Sequence, residues 1–284
     1  MNITATTQKV GLLGWPLSHS LSPAMHNAAF AASGLDYVYL PLAVPPELLS
    51  QAVTGVKALG FAGINVTIPH KIAVMDYLDE IDNSARLVGA VNTIVNKEGR
   101  LVGHNTDAGG YISSLKLAGV AVTGKHVVIL GAGGAARAVA AGFIANHAAS
   151  VVISARDQGK VDGIVKLLPI NTPVYGTGWD SRDFIAALSK ADIVVNTTPL
   201  GMYPNIASQP PLPWELLMPS AVISDLVYNP LTTAFMAEAM RRGHTVVGGE
   251  GMLAEQGALA FELWTGCSAP RDIMQQVLLS KLSK

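Results

Sequence analysis

The sequence predicts an α/β fold, and three observations carry that prediction. Short apolar, β-branched runs alternate with helical patterns almost from end to end, which calls for largely parallel sheets. At 284 residues, half of them hydrophobic and only 14% charged, the chain has apolar material for one or two cores, and two suit an enzyme cleft better. Third, Val127-Val128-Ile129-Leu130 reads as a buried strand that runs into the glycine turn Gly131-Ala132-Gly133-Gly134 and then into the Ala-rich run Ala135 to Ala145, a strong helix former. A strand, a glycine turn and a helix N-terminus together read as the pyrophosphate site of a Rossmann-type dinucleotide-binding domain; taken alone, the motif also fits an ordinary tight turn between strand and helix. Gly131 permits the tight turn, Gly133 lets backbone approach phosphate, and Ala136 fills the last small position of the motif.

Taken in order, strands are expected near Lys9 to Gly14, Tyr37 to Leu42, Gly63 to Val66 and Val91 to Asn96. Helices are expected near Pro23 to Ser33, Pro46 to Leu59 and Lys71 to Leu78. Ser22 is the expected N-cap of the first helix, with Pro23 in its first turn, and Lys97 to Arg100 reads as a hairpin turn. A second series opens with a helix over Asp107 to Leu117 and the strand His126 to Leu130. Its further strands fall near Val151 to Ser154, Pro173 to Gly176, Ile193 to Asn196, Val222 to Asp225 and Thr245 to Val247. Pro199 to Pro213 is a loop. Residues from Glu250 to Lys281 return to helical pattern and are expected to pack back on the first domain.

The formal charge of −1, with no block of like charge, argues against a nucleic-acid face. The polar start, Met1 to Lys9, lacks the apolar core of a signal peptide, and no transmembrane span is credible. Cys267 is the single cysteine, so no intrachain disulfide forms, a reducing cytoplasm is the expected compartment, and a buried structural thiol is the expected role. The seven histidines show no metal-ligand spacing, so no metal is expected.

Further motifs accumulate in order: Gly11-Leu12-Leu13-Gly14-Trp15-Pro16-Leu17-Ser18-His19-Ser20-Leu21-Ser22-Pro23, Gly63-Ile64-Asn65-Val66-Thr67-Ile68-Pro69-His70-Lys71, Gly89-Ala90-Val91-Asn92-Thr93 and Gly103-His104-Asn105-Thr106-Asp107. With the glycine turn and Gly248-Gly249-Glu250-Gly251-Met252-Leu253 they cover nearly the whole chain. This sequence resembles the shikimate/quinate dehydrogenase family. The resemblance implies a substrate domain of residues 1–105 plus 250–284, a dinucleotide-binding domain of residues 106–249, and catalysis in the cleft between them. It implies reversible oxidation of the C3 hydroxyl of shikimate, or of quinate or aminoshikimate, with NAD or NADP, in aromatic amino-acid biosynthesis.

By the same resemblance Lys71 is the catalytic lysine and Asp107 its carboxylate partner. Outside the motif, Lys71 would read as a solvated lysine opening a helix and Asp107 as a helix N-cap. Lys71 serves either as general base or as a cationic donor to the developing alkoxide: burial lowers a lysine pKa, and an adjacent carboxylate raises it. Ser18 and Ser20 map to the substrate carboxylate, Thr67, Asn92 and Asp107 to the ring hydroxyls, and Tyr228 and Gln256 to further substrate contacts. Asn65 is a weaker candidate, and His19 and His70 are bystanders. Gly131, Ala132, Gly133, Gly134, Ala135, Leu226 and Gly249 map to the cofactor. Ser154, Arg156 and Asp157 bear on its identity. NADP-using members carry Asn-Arg-Thr after the second strand of this domain; here Ala155 stands at the arginine position. Arg156 can still reach a 2′-phosphate, whereas Asp157, a little beyond the ~20-residue offset of an acidic ribose ligand, favours NAD or dual use. A small-molecule substrate is the expected partner, and assembly as monomer or homodimer is left open. A non-catalytic dinucleotide-binding protein is the reading from a different class.

Overall fold

A computed structural model describes residues 3–18, 20–168 and 172–283. His19 therefore lies outside the described residues. By internal contacts the chain divides into one unit of Met1–Thr106 with Ala254–Leu282 and a second of Asp107–Leu253.

The first unit runs β1 (Gln8–Gly14), α1 (Ser22–Ala32), β2 (Tyr37–Ala43), α2 (Leu49–Ala58), β3 (Gly63–Val66), β4 (Glu80–Ile81), α3 (Asn83–Val88), β5 (Thr93–Lys97) and β6 (Arg100–His104). Its sheet has the order β2-β1-β3-β5-β6-β4. Strand β1 lies parallel to β2 and β3, but β3–β5 and β5–β6 are antiparallel, so this sheet is mixed where a largely parallel one was expected. The reason is local. Glu98 (φ 53°) and Gly99 (φ 87°) make a two-residue turn, and a connection that short joins only antiparallel strands.

Two further segments differ from their sequence patterns. Ser22 is not the N-cap of α1: Leu21 holds that position, and Ser22 is the first helical residue, its N–H donating to Ser20 Oγ at 3.3 Å. The helix expected over Lys71 to Leu78 is a short 3-10 turn over Ala73–Tyr77. The Lys71 carbonyl accepts from Val91 N (2.8 Å) and is lost to a helical ladder, so Met75 N bonds Ile72 O instead.

The second unit holds α4 (Asp107–Leu117), β7 (His126–Leu130), α5 (Gly134–Ala145), β8 (Ser150–Ser154), α6 (Gln158–Val165), β9 (Val174–Thr177), α7 (Arg182–Leu188), β10 (Ile193–Asn196), β11 (Val222–Asp225), α8 (Ala234–Arg241) and β12 (Val246–Val247). The helix α9 (Gly249–Thr265) follows, and α10 (Arg271–Leu282) packs along α1 in the first unit. The sheet order is β12-β11-β10-β7-β8-β9, all parallel. Order therefore reverses between β7 and β10, and in a doubly wound sheet ligands bind outside the strand carboxyl ends at that point. Val127 to Leu130 are buried on both faces, as a central parallel strand requires. Cys267 is exposed rather than buried: Gly266 (φ 69°) ends α9 and turns the chain outward. No helix among the described residues is long and apolar enough to cross a membrane.

Candidate active site

At the switch point of the second unit, Gly131 takes φ 113°, a conformation that strains any residue with a side chain. Its amide donates to Ser154 O (2.8 Å), and Thr197, following β10, closes the other side by donating Oγ1 to Leu130 O (2.8 Å). Thr197 carried no glycine or charge to draw notice; its signal was its place directly after the strand next to β7. Half-buried Ala132 leads to exposed Gly133 and Gly134, where a side chain would meet nothing within 4 Å, so the backbone lies open to a ligand. Gly133 is the N-cap of α5, and the first turn of that helix carries no acidic residue, which leaves its positive dipole end uncompensated. Ala135 is half-buried and Ala136 fully buried behind the turn.

Leu226 and Gly249, separate in sequence, are brought together: a side chain on Gly249 would strike the Leu226 carbonyl. Tyr228 lies two residues beyond Leu226, half-buried, and burial raises the pKa of its hydroxyl. Ser154 is fully buried and its hydroxyl has no partner; what it supplies is its carbonyl, shared by Gly131 N and Trp179 Nε1 (2.8 Å each). Arg156 is exposed, its guanidinium over the Trp179 ring. Asp157 is the N-cap of α6: its Oδ1 accepts from Lys160 N (3.1 Å) and its Oδ2 faces Lys160 Nζ (3.8 Å). Its carboxylate is thus aimed along its own helix and its charge offset, which weakens the basis for expecting NAD.

In the first unit a polar network lies beside the start of β5. Asn92 Oδ1 accepts from Thr106 N (2.7 Å), and Asn92 Nδ2 donates to Thr106 Oγ1 (2.8 Å). Asn65 is consumed by structure: its Oδ1 accepts from Tyr39 Oη (2.8 Å), and its Nδ2 donates to Thr93 Oγ1 (3.0 Å) and Asn92 O. Thr67 is half-buried beside Gly14, which has no space for a side chain against the Thr67 methyl. Ser18 is exposed and Ser20 half-buried. His70 is buried with Nε2 on Val44 O (2.7 Å), a structural role. Lys71 is half-buried just ahead of the 3-10 turn, and half-buried Gln256 sits on α9. Asp107 is the first residue of α4, in the second unit. Among the described residues no group of three or more His, Cys, Asp or Glu forms a metal-holding cluster.

Residues 12–94 match the family described as the shikimate dehydrogenase substrate binding domain, and residues 249–279 match the shikimate 5′-dehydrogenase C-terminal domain. A shikimate dehydrogenase (NADP(+)) of Desulforamulus reducens is 44% identical over 99% of this chain and 98% of its own length. The chain belongs to the shikimate dehydrogenase family. Two solved members share its fold closely. A shikimate dehydrogenase in complex with NADP+ superposes with TM-score 0.91 at 42% identity, covering 100% of this chain and 98% of the other. The shikimate 5-dehydrogenase of Listeria monocytogenes, in complex with shikimate and NAD, gives TM-score 0.92 at 36% identity and covers 98% of each chain. Members of the family are oxidoreductases acting on a CH–OH group, and this chain carries their two-sheet α/β architecture.

Proposed function

We propose that this chain oxidises the C3 hydroxyl of shikimate to 3-dehydroshikimate reversibly, using NADP, and works in the reducing direction on the route to aromatic amino acids. The full-length relationship to a shikimate dehydrogenase at 44% identity carries this reading. Residues 1–105 with 250–284 take the substrate, and residues 106–249 take the cofactor. When bound, the oxidised cofactor would supply the acceptor for the hydride, with its electron pair, that leaves C3. The protein must then remove the hydroxyl proton and stabilise the oxygen as its charge changes. Lys71 and Asp107 are assigned to that task, with Lys71 as base or as cationic donor. Thr67, Asn92 and Asp107 hold ring hydroxyls, Ser18 and Ser20 the carboxylate, and Tyr228 and Gln256 complete the grip.

On the cofactor side Gly131, Ala132, Gly133, Gly134 and Ala135 receive the pyrophosphate, and Leu226 and Gly249 complete the cofactor contacts. The choice of NADP over NAD draws support from the relatives and from charge. Arg156 is exposed, whereas the Asp157 carboxylate is spent on capping α6 and facing Lys160. Steady-state assays with shikimate and quinate, each against NADP and NAD, test the reading; a stronger kcat/KM with quinate or with NAD would reverse the corresponding half. Lys71→Ala is expected to lower kcat by about 10²–10⁴-fold with little change in substrate KM. An unchanged kcat removes Lys71 from the chemistry.

A further inference from the structure

Arg156 is exposed and directly follows Ala155, which is buried just past the end of β8. Its guanidinium is supported from a different segment. Trp179, in the connection between β9 and α7, lies under the guanidinium, with Arg156 Cζ 5.9 Å from the centre of the indole ring, inside the range in which a cation is attracted to an aromatic face. We propose that Trp179 is a positioning residue for cofactor recognition, its indole holding the Arg156 guanidinium ready for an adenosine 2′-phosphate.

The indole is itself anchored. Its Nε1 donates to Ser154 O at 2.8 Å, and that same carbonyl accepts the amide of Gly131 at 2.8 Å. One carbonyl thus ties the glycine turn, the end of β8 and the loop carrying Trp179 together, so the ring is set by an interior strand of the sheet and not by the loop alone. A free arginine side chain loses rotamer freedom when it closes on a phosphate; one already lying on a fixed ring loses less, and the difference appears as affinity. The charge around it agrees. Among the described residues no carboxylate forms an ion pair with Arg156, and the neighbouring Asp157 faces Lys160 instead. Trp179 carries no charge and lies outside the glycine motif, which is why motif reading passes over it.

This proposal rests on the NADP reading above, and the test separates the two. Calorimetric titration measures Kd for NADP, NAD, 2′,5′-ADP and 5′-AMP with wild type, Trp179→Leu, Trp179→Phe, Arg156→Ala and the double variant Trp179→Leu/Arg156→Ala. Wild type binding NAD as tightly as NADP overturns the NADP reading, and this proposal with it, before any variant is consulted. With that preference present, Trp179→Leu is expected to weaken NADP and 2′,5′-ADP by about 5–10-fold and to leave NAD and 5′-AMP within about 2-fold. Trp179→Phe keeps an aromatic face but not the N–H, and is expected to fall between; it also serves if the leucine variant does not fold. The double variant is expected to bind 2′,5′-ADP no more weakly than Arg156→Ala alone, because the ring acts through the guanidinium. Equal weakening of the phosphorylated and unphosphorylated nucleotides, or full additivity in the double variant, overturns the proposal.

Discussion

At Gly249 the second unit has no room for even one carbon: a Cβ would run into the backbone of Leu226 and Val227. Both partners are main chain and cannot swing aside, so Gly249→Ala is expected to destabilise the protein by roughly 2–3 kcal/mol, read as a lower urea midpoint at unchanged slope. Asp157 makes the opposite case, a residue whose meaning changed once its contacts were visible. Its spacing from Gly131 suggests a ribose ligand, yet its side chain accepts from Lys160 N and caps α6. Asp157→Ala is expected to cost about 1 kcal/mol of stability and to leave the ratio of NADP to NAD affinity unchanged; a swing toward NADP through weakened NAD binding would restore the ribose role. The glycines of the turn are legible in sequence because chain geometry alone demands them. The direction in which a carboxylate points is not, since that depends on which amide lies within reach.

Among the elements, the β7–turn–α5 unit matches its sequence reading almost residue for residue, because every part of it is local: a buried strand, a glycine at positive φ, a run of alanines. The segment after Lys71 does not, because Val91, from a distant stretch, takes the carbonyl that a helix would have used. The junction of α9 with the first sheet is also invisible in sequence. Trp264 donates Nε1 to Ile94 O (3.0 Å) across Gly63, whose missing side chain is what lets the indole lie there. Gly63→Ala is expected to expel the indole and to destabilise by about 3 kcal/mol, overpacking adding to a lost hydrogen bond. Trp264→Phe should lose only about 1 kcal/mol, the bond alone. Equal losses in thermal or urea unfolding would argue that the ring is not seated on Gly63.

For the whole molecule, two buried groups give stability a dependence on pH, one in each unit. His26 is completely buried, stacked on Tyr39 with ring centres 4.5 Å apart, and neither ring nitrogen has a partner. Burial holds its pKa down to about 3. The unfolded chain, with an ordinary histidine near 6.5, therefore binds the extra proton first. The contribution of His26 is whole above about pH 6.5 and declines as pH falls toward 3. Asp225 runs the other way: burial raises its carboxyl to about 6, against the hydrogen bonds it accepts from Thr233, Val227 and Asn196, so the folded state holds the proton longer. Its contribution is present below the ordinary carboxylate range and is lost as pH rises through about 6. Urea unfolding between pH 7.5 and 5 is expected to show stability falling with acid in the wild type. His26→Phe should flatten that fall, and Asp225→Asn should steepen it; an unchanged slope in His26→Phe would place the titration elsewhere.

The sequence by itself determined the α/β class, the strand–turn–helix of residues 127–145 and the ordered motifs that carry the family resemblance, because these depend on periodicity, on backbone freedom and on short fixed spacings. Only the tertiary structure decided that the first sheet is mixed, that Cys267 faces outward, that Asp157 caps a helix and that Arg156 lies on Trp179. Each of those outcomes turns on which group from a remote part of the chain arrives within a few ångströms, and no local pattern encodes that.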